Sequence, residues 1–205
     1  MRLLRLFLYL CLLVGFGFIA ASLYSPMRPP PPPPPLTGAV DRIVIDKSDR
    51  QMQLIQDGKA VRTYAIALGF TPDGDKERQG DGKTPEGEFT IDRRNDESAF
   101  HLSLGLDYPQ QNDLIRASAG GYSPGGDIFI HGQPNALPDG LKIKGDWTAG
   151  CIALTNAEMR EVWAVTPIGT KVEIRPRLCE NSVRHGRAGN DVLPQEQLQY
   201  FVLTR

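Results

Sequence analysis

Two residues in this chain could do nucleophilic chemistry together: Cys151, in the stretch DWTAGCIALTN (146–156), and His131, in DIFIHG (127–132). A thiol attacks as its thiolate, so it needs a base. Acyl transfer also needs backbone N–H groups aimed at the oxyanion it creates. Gly150, just before Cys151, lets the chain turn tightly and leaves an N–H unobstructed. His131 closes a short apolar run and is followed by Gly132, so its ring could project from a sheet edge into a cleft. Sixteen residues, 132 to 147, separate it from Thr148, enough chain to bring base and thiol side by side. A third group should fix the imidazole. A backbone carbonyl near Gly132 could do this, and so could Asp146.

Each residue has a plainer reading. A cysteine before Ile-Ala-Leu can be a small core residue, and a histidine at a strand end can be structural. In an exported protein Cys151 could pair with Cys179, leaving no thiol to react. A zinc site needs further ligands at suitable spacing. The other histidines, His101 and His185, stand in no ligand-like pair, so no metal is expected.

Positioning these groups calls for a mainly β domain. Residues 42–46 (RIVID) and 51–55 (QMQLI) read as strands, followed by an Asp57-Gly58 turn. Residues 61–68 (VRTYAIAL) read as a third strand. A long polar, glycine-rich segment then runs to Phe89, where the chain turns back into a strand. Residues 127–130 form a short buried strand leading to His131. Thr155 to Glu158 has capping-box spacing, and Met159, Val162 and Trp163 recur at helical intervals, so a helix starts there. Pro167 and Gly169 end it, and 171–175 (KVEIR) returns as a strand. With one or two short helices, the folded part spans about 40–176, and 177–205 is a polar, weakly patterned tail.

Ahead of this domain lie two appendages. Arg2 and Arg5 precede an uncharged apolar stretch from Leu6 to about Tyr24, long enough to cross a bilayer. The positive flank would stay cytoplasmic, placing the rest of the chain outside. Residues 1–25 are therefore expected to be a membrane anchor, with a cleaved signal peptide as the alternative. Residues 26–39 form a proline-rich linker, in which seven consecutive prolines, 29 to 35, make a stiff polyproline II spacer of roughly 20 Å. The formal net charge is -1 with both signs interspersed, so nothing points to nucleic acid.

Three segments in order, KTPEGEF (83–89), IFIHG (128–132) and TAGCI (148–152), resemble the L,D-transpeptidase catalytic domain of the YkuD type. The resemblance covers roughly residues 41–176. It implies a β-sandwich-like fold with Cys151 as nucleophile and His131 as base. The Gly132 carbonyl would orient the ring, and the N–H groups of Gly150 and Cys151 would line the oxyanion hole. Thr148 and Asp146 are expected beside that substrate-binding turn. The sequence departs from the family at Ala149, where a histidine is usual, and at Ala153, where an arginine is frequent. A substitute cation could come from Lys142, Lys144, Arg93 or Arg94. The implied activity is peptidoglycan stem-peptide acyl transfer through a thioester, without metal or organic cofactor, at the outer face of the bacterial inner membrane. Two alternatives stand beside it: a cysteine hydrolase of the same fold, cutting stems, crosslinks or wall–protein linkages, and a catalytically silent wall-binding module.

Overall fold

The structure is a computed structural model in which residues 2–23 and 33–176 are described. The first segment is a single helix, α1 (Arg2–Leu23, 22 residues), with every described side chain exposed. At about 1.5 Å per residue it is roughly 33 Å long, enough to cover a bilayer core. The window Arg2–Ile19 has a mean hydropathy of 2.0, so length and composition suit either a membrane span or a signal sequence. Most of the proline run and the whole of 177–205, including Cys179 and the Cys151–Cys179 pairing, lie outside the described residues.

The second unit is built on β1 (Arg42–Asp46), β2 (Gln51–Gln56), β3 (Lys59–Ala65), β4 (Gly87–Ser98), β5 (His101–Leu106), α2 (Gln111–Gly120), β6 (Phe129–His131), β7 (Ile152–Ala153), α3 (Asn156–Val165) and β8 (Lys171–Arg175). The strands hydrogen-bond in the order β3-β2-β1-β8-β4-β5-β6-β7. The long strand β4 joins the two halves. Its first residues, Gly87 to Thr90, pair with β8, while Ile91 to Ser98 pair with β5 through two register shifts. Bulges bend a strand and increase its twist, so β4 carries the chain from one sheet into the other. Ile43, Met52, Leu54 and Ile174 from one half meet Leu104, Ile130 and Ile152 from the other in one core. This is the mainly β, sandwich-like architecture expected.

Local chemistry explains the elements. Met52 and Leu54 alternate with polar residues on β2, as do Val172 and Ile174 on β8, the period of a half-buried strand. In α3 the Thr155 side chain accepts from the Glu158 N–H, and the Glu158 carboxylate accepts from the Thr155 N–H, closing the capping box. Met159, Val162 and Val165 face the core.

Two expectations change. The strand read over 61–68 ends at Ala65; beyond it the chain makes isolated bridges, Ala67 to Ala153 and Gly69 to Thr148, which tie it to the cysteine segment. The strand expected from Phe89 is the start of β4, but its long hairpin with β5 and the helix α2 carry no expectation from the sequence. At α2 the Gln110 N–H donates to Asp113, and Gly121 closes the helix in the left-handed region, so start and stop signals do exist. The helix buries only Ala117, which left no apolar stripe to read.

Candidate active site

Strands β6 and β7 pair in parallel with Ile130 opposite Ile152 and His131 opposite Ala153. Ile130 and Ile152 enter the core, so alternation sends His131 and Cys151 to the other face. Cys151, one residue ahead of β7, lies diagonally from His131. Such neighbours have Cα atoms about 7–8 Å apart and side chains closer still. The sheet register thus brings both candidate residues onto one surface.

His131 is 4% exposed, and its Nδ1 lies 2.7 Å from the Gly132 carbonyl oxygen. A carbonyl can only accept, so Nδ1 carries the proton and Nε2 is left as the basic nitrogen. The ring clusters with two aromatic residues, Phe100 with centroids 4.7 Å away and Trp147 at 5.8 Å, which lie 6.0 Å from each other. Phe100 sits at the β4–β5 turn, where its carbonyl accepts the Gly132 N–H at 3.0 Å. Burial pulls the His131 pKa below its ordinary value, with the Gly132 bond opposing.

The cysteine is presented differently. Gly150 has φ +135°, and a Cβ built there would lie 2.7 Å from the Lys83 carbonyl oxygen, so the turn requires glycine. Buried Thr148 clamps the turn: its Oγ1 donates to the Cys151 carbonyl at 2.7 Å and accepts from the Gly150 N–H at 3.1 Å. Among the described residues Cys151 has no disulfide partner. Its Sγ accepts from the Phe129 N–H and donates to the Asp127 carbonyl, both at 3.4 Å. Burial pushes the thiol pKa up; the Phe129 N–H opposes this, Asp127 adds to it, and Lys76 and Arg93 oppose it. Burial thus works against the charged form of both groups, the imidazolium and the thiolate alike.

The expected roles fall out unevenly on this geometry. The Gly132 carbonyl does hold the ring. Asp146 does not: one carboxylate oxygen pairs with Arg50 at 2.9 Å, and the other accepts the Leu68 N–H. It braces the cysteine segment against the β1–β2 turn. Thr148 is spent on the turn itself. The Gly150 N–H, expected to be unobstructed, is taken by Thr148, while the Cys151 N–H has no partner among the described residues. Of the candidate cations, Arg94 is held by the Trp163 and Thr166 carbonyls and stacks on Trp163. Arg93 pairs with Asp92 and reaches Asp127 at 3.4 Å. Lys142 and Lys144 are exposed.

Other residues of the site carried no sequence signal that singled them out. Lys47, fully buried, spends its ammonium on Gly74 O, Thr84 O and Glu86, while Thr84 accepts the Gly69 N–H. This network fixes the segment that abuts Gly150. Beside Cys151 lies a cleft of about 310 Å³ lined by Lys76, Gly80, Gly125, Asp127 and Ala149, among others. Among the described residues no group of three His, Cys, Asp or Glu side chains is placed to hold a metal ion.

The family profile of the L,D-transpeptidase catalytic domain (YkuD) matches residues 40–174, about two thirds of the chain. The chain belongs to the L,D-transpeptidase family. Among family relatives, YkuD of Bacillus licheniformis is 26% identical over 140 residues, 66% of each chain. YafK of Escherichia coli is 25% identical over 134 residues, covering 62% of this chain and 48% of that protein. A solved structure, the helical cell shape determining protein Pgp2 from Campylobacter jejuni, is similar with a TM-score of 0.55 and 26% identity. That match covers 69% of this chain and 49% of Pgp2, so the chain spans about half the length of that structure and of YafK. Family and fold support an enzyme with a peptidoglycan-related activity.

Proposed function

We propose that this domain is a peptidoglycan L,D-transpeptidase that acts through a Cys151 thioester. The observation that carries this reading is the His131 Nδ1 bond to the Gly132 carbonyl, which leaves Nε2 as a base on the face shared with Cys151. In this reading the thiol leaves the Asp127 carbonyl and turns toward the ring. Nε2 then takes the S–H proton as Sγ attacks a stem-peptide carbonyl next to a D-centre. Collapse of the tetrahedral adduct breaks the C–N bond, and the leaving amine of the terminal D-alanine takes the proton from His131. An acceptor amine attacks the thioester and regenerates the thiol.

A second reading keeps the thioester but resolves it with water, making a carboxypeptidase or an endopeptidase that cleaves crosslinks or wall–protein linkages. Ala149 on the cleft favours it, since alanine offers no polar group to hold an amine acceptor. In either case α1 anchors the chain in the bacterial inner membrane, with the domain held out toward the wall. The likeness to Pgp2, a helical cell shape determining protein, supports a part in cell shape.

Mass spectrometry of muropeptides incubated with the chain tests the reading, wild type beside Cys151→Ala. Loss of the terminal D-alanine, with crosslinked or exchanged products, is expected from wild type alone. Release without exchange selects the hydrolase. Identical profiles from both proteins would leave a wall-binding module with a structural cysteine.

A further inference from the structure

Lys76 lines the same cleft as Cys151, yet its side chain is only 3% exposed. An ammonium has three N–H donors. Here one goes to Asp81 Oδ1 at 2.7 Å and one to the Arg78 carbonyl at 3.1 Å. The third has no partner among the described residues. The group is therefore satisfied within the fold and still has one donor to offer to a ligand atom in the cleft.

The lysine is held, not mobile. Asp81 also accepts the N–H groups of Glu77, Arg78 and Lys83, and the Gln79 N–H donates to Ser123 O. Arg116 grips the Lys76 carbonyl at 2.7 Å. Across the cleft Gly125, with φ +79°, presents no side chain; a Cβ there would sit 3.5 Å from Lys76 Cε. Burial works to raise the Asp81 carboxyl, but Lys76 and the backbone N–H groups bring its pKa down to about 2. The carboxylate therefore stays charged, and the Lys76–Asp81 pair adds little net charge at the thiol. That fits a thiol which stays above its ordinary pKa despite a cation nearby. Lys76 is thus poorly suited to ionise Cys151.

An oxyanion site needs more than one donor aimed at the developing charge. The Gly150 N–H is spent on Thr148, so the turn offers only the Cys151 N–H. We propose that Lys76 is a catalytic residue that donates its remaining N–H to the acyl oxygen of the tetrahedral adduct on Cys151, completing the oxyanion site with the Cys151 N–H. As the Sγ–C bond forms, the C=O π electrons move onto oxygen and the thiol proton moves to His131 Nε2. When the electrons return, the leaving group departs with that proton. Lys76 keeps its own proton throughout. The inference rests on Cys151 being acylated, as proposed above, but not on the stem peptide being the acyl donor.

The test compares two reactions of the same thiol in the full chain. Acylation by a small uncharged activated ester passes through an oxyanion; alkylation by iodoacetamide, a displacement at a saturated carbon, does not. Lys76→Met should slow acylation roughly 10²–10³-fold, the usual cost of losing an oxyanion donor, and leave alkylation within about threefold. Because Lys76→Met strands the Asp81 carboxylate, the double variant Lys76→Met/Asp81→Asn is measured beside it, with thermal melts of both. The same selective loss is expected in whichever variant folds. Equal loss in both reactions would mean a structural or thiol-activating lysine and overturn the proposal. Unchanged ester acylation with a raised KM for stem peptides would make Lys76 a substrate-binding group and also overturn it. Muropeptides left untouched by wild type, with the selective ester effect intact, would sink the proposed substrate and leave the oxyanion role standing.

Discussion

His131 and Cys151 face the same space but are held by opposite means. His131 is the last residue of β6, where ladder pairing with β5 and β7 fixes its backbone and the next residue's carbonyl fixes its ring. Cys151 stands on a turn outside any long strand, held by one threonine hydroxyl, a glycine at φ +135° and the wall of residues 83–86. The base is thus positioned by regular structure and the thiol by side chains. Single substitutions should disturb the thiol far more readily than the base.

The largest effect is expected at Gly150. Alanine there must adopt a backbone conformation costing roughly 1–3 kcal/mol for a non-glycine residue, and its Cβ meets the Lys83 carbonyl. Gly150→Ala should abolish acyl transfer and lower the melting temperature by several degrees. A folded, active Gly150→Ala enzyme would show that the turn is not the device described.

Next comes Thr148→Val, which keeps the volume but removes both clamp bonds. It leaves the Cys151 carbonyl and the Gly150 N–H without their partner, each bond being worth about 1 kcal/mol. A ten- to hundredfold fall in kcat with a smaller change in KM is expected from steady-state kinetics. Thr148→Ser should restore most of it.

The base side gives the smallest effect and the clearest sign. His131 must be neutral to accept a proton, so activity falls as pH drops through its folded pKa. Burial holds that pKa below the ordinary 6.5, and no charged side chain contributes to the shift. The acidic limb of kcat/KM should therefore lie below 6.5. Phe100→Ala opens the ring to water and should move the limb up toward 6.5, with little change on the plateau. Stability follows the same linkage. A depressed histidine pKa favours the fold above the unfolded value, and that contribution is lost as pH falls from about 6.5 toward the folded pKa. A limb that stays in place in Phe100→Ala would show that the aromatic enclosure does not set the base.

This contrast also accounts for what could be read from sequence. A short apolar run revealed β1, alternating apolar residues revealed β2 and β8, and the capping box revealed α3, because those signals are local. His131 and Cys151 stood out because a Gly follows one and precedes the other. Supports that act across long separations left no local trace. Lys47 bonds to residues 27 to 39 positions away, and Phe100 reaches His131 only because the bulged β4–β5 hairpin folds over it. Asp146 was plausible as the ring's partner on sequence proximity alone. Its bond to Arg50, 96 positions away, could only come from the fold.

The central claim is that His131 and Cys151 work as one unit despite their separate supports, and thiol alkylation near neutral pH tests it most directly. Iodoacetamide should modify Cys151 in the folded protein and do so about tenfold or more slowly in His131→Ala, with both proteins melting cooperatively. Equal rates with and without the histidine, or no modification until the protein unfolds, would contradict it.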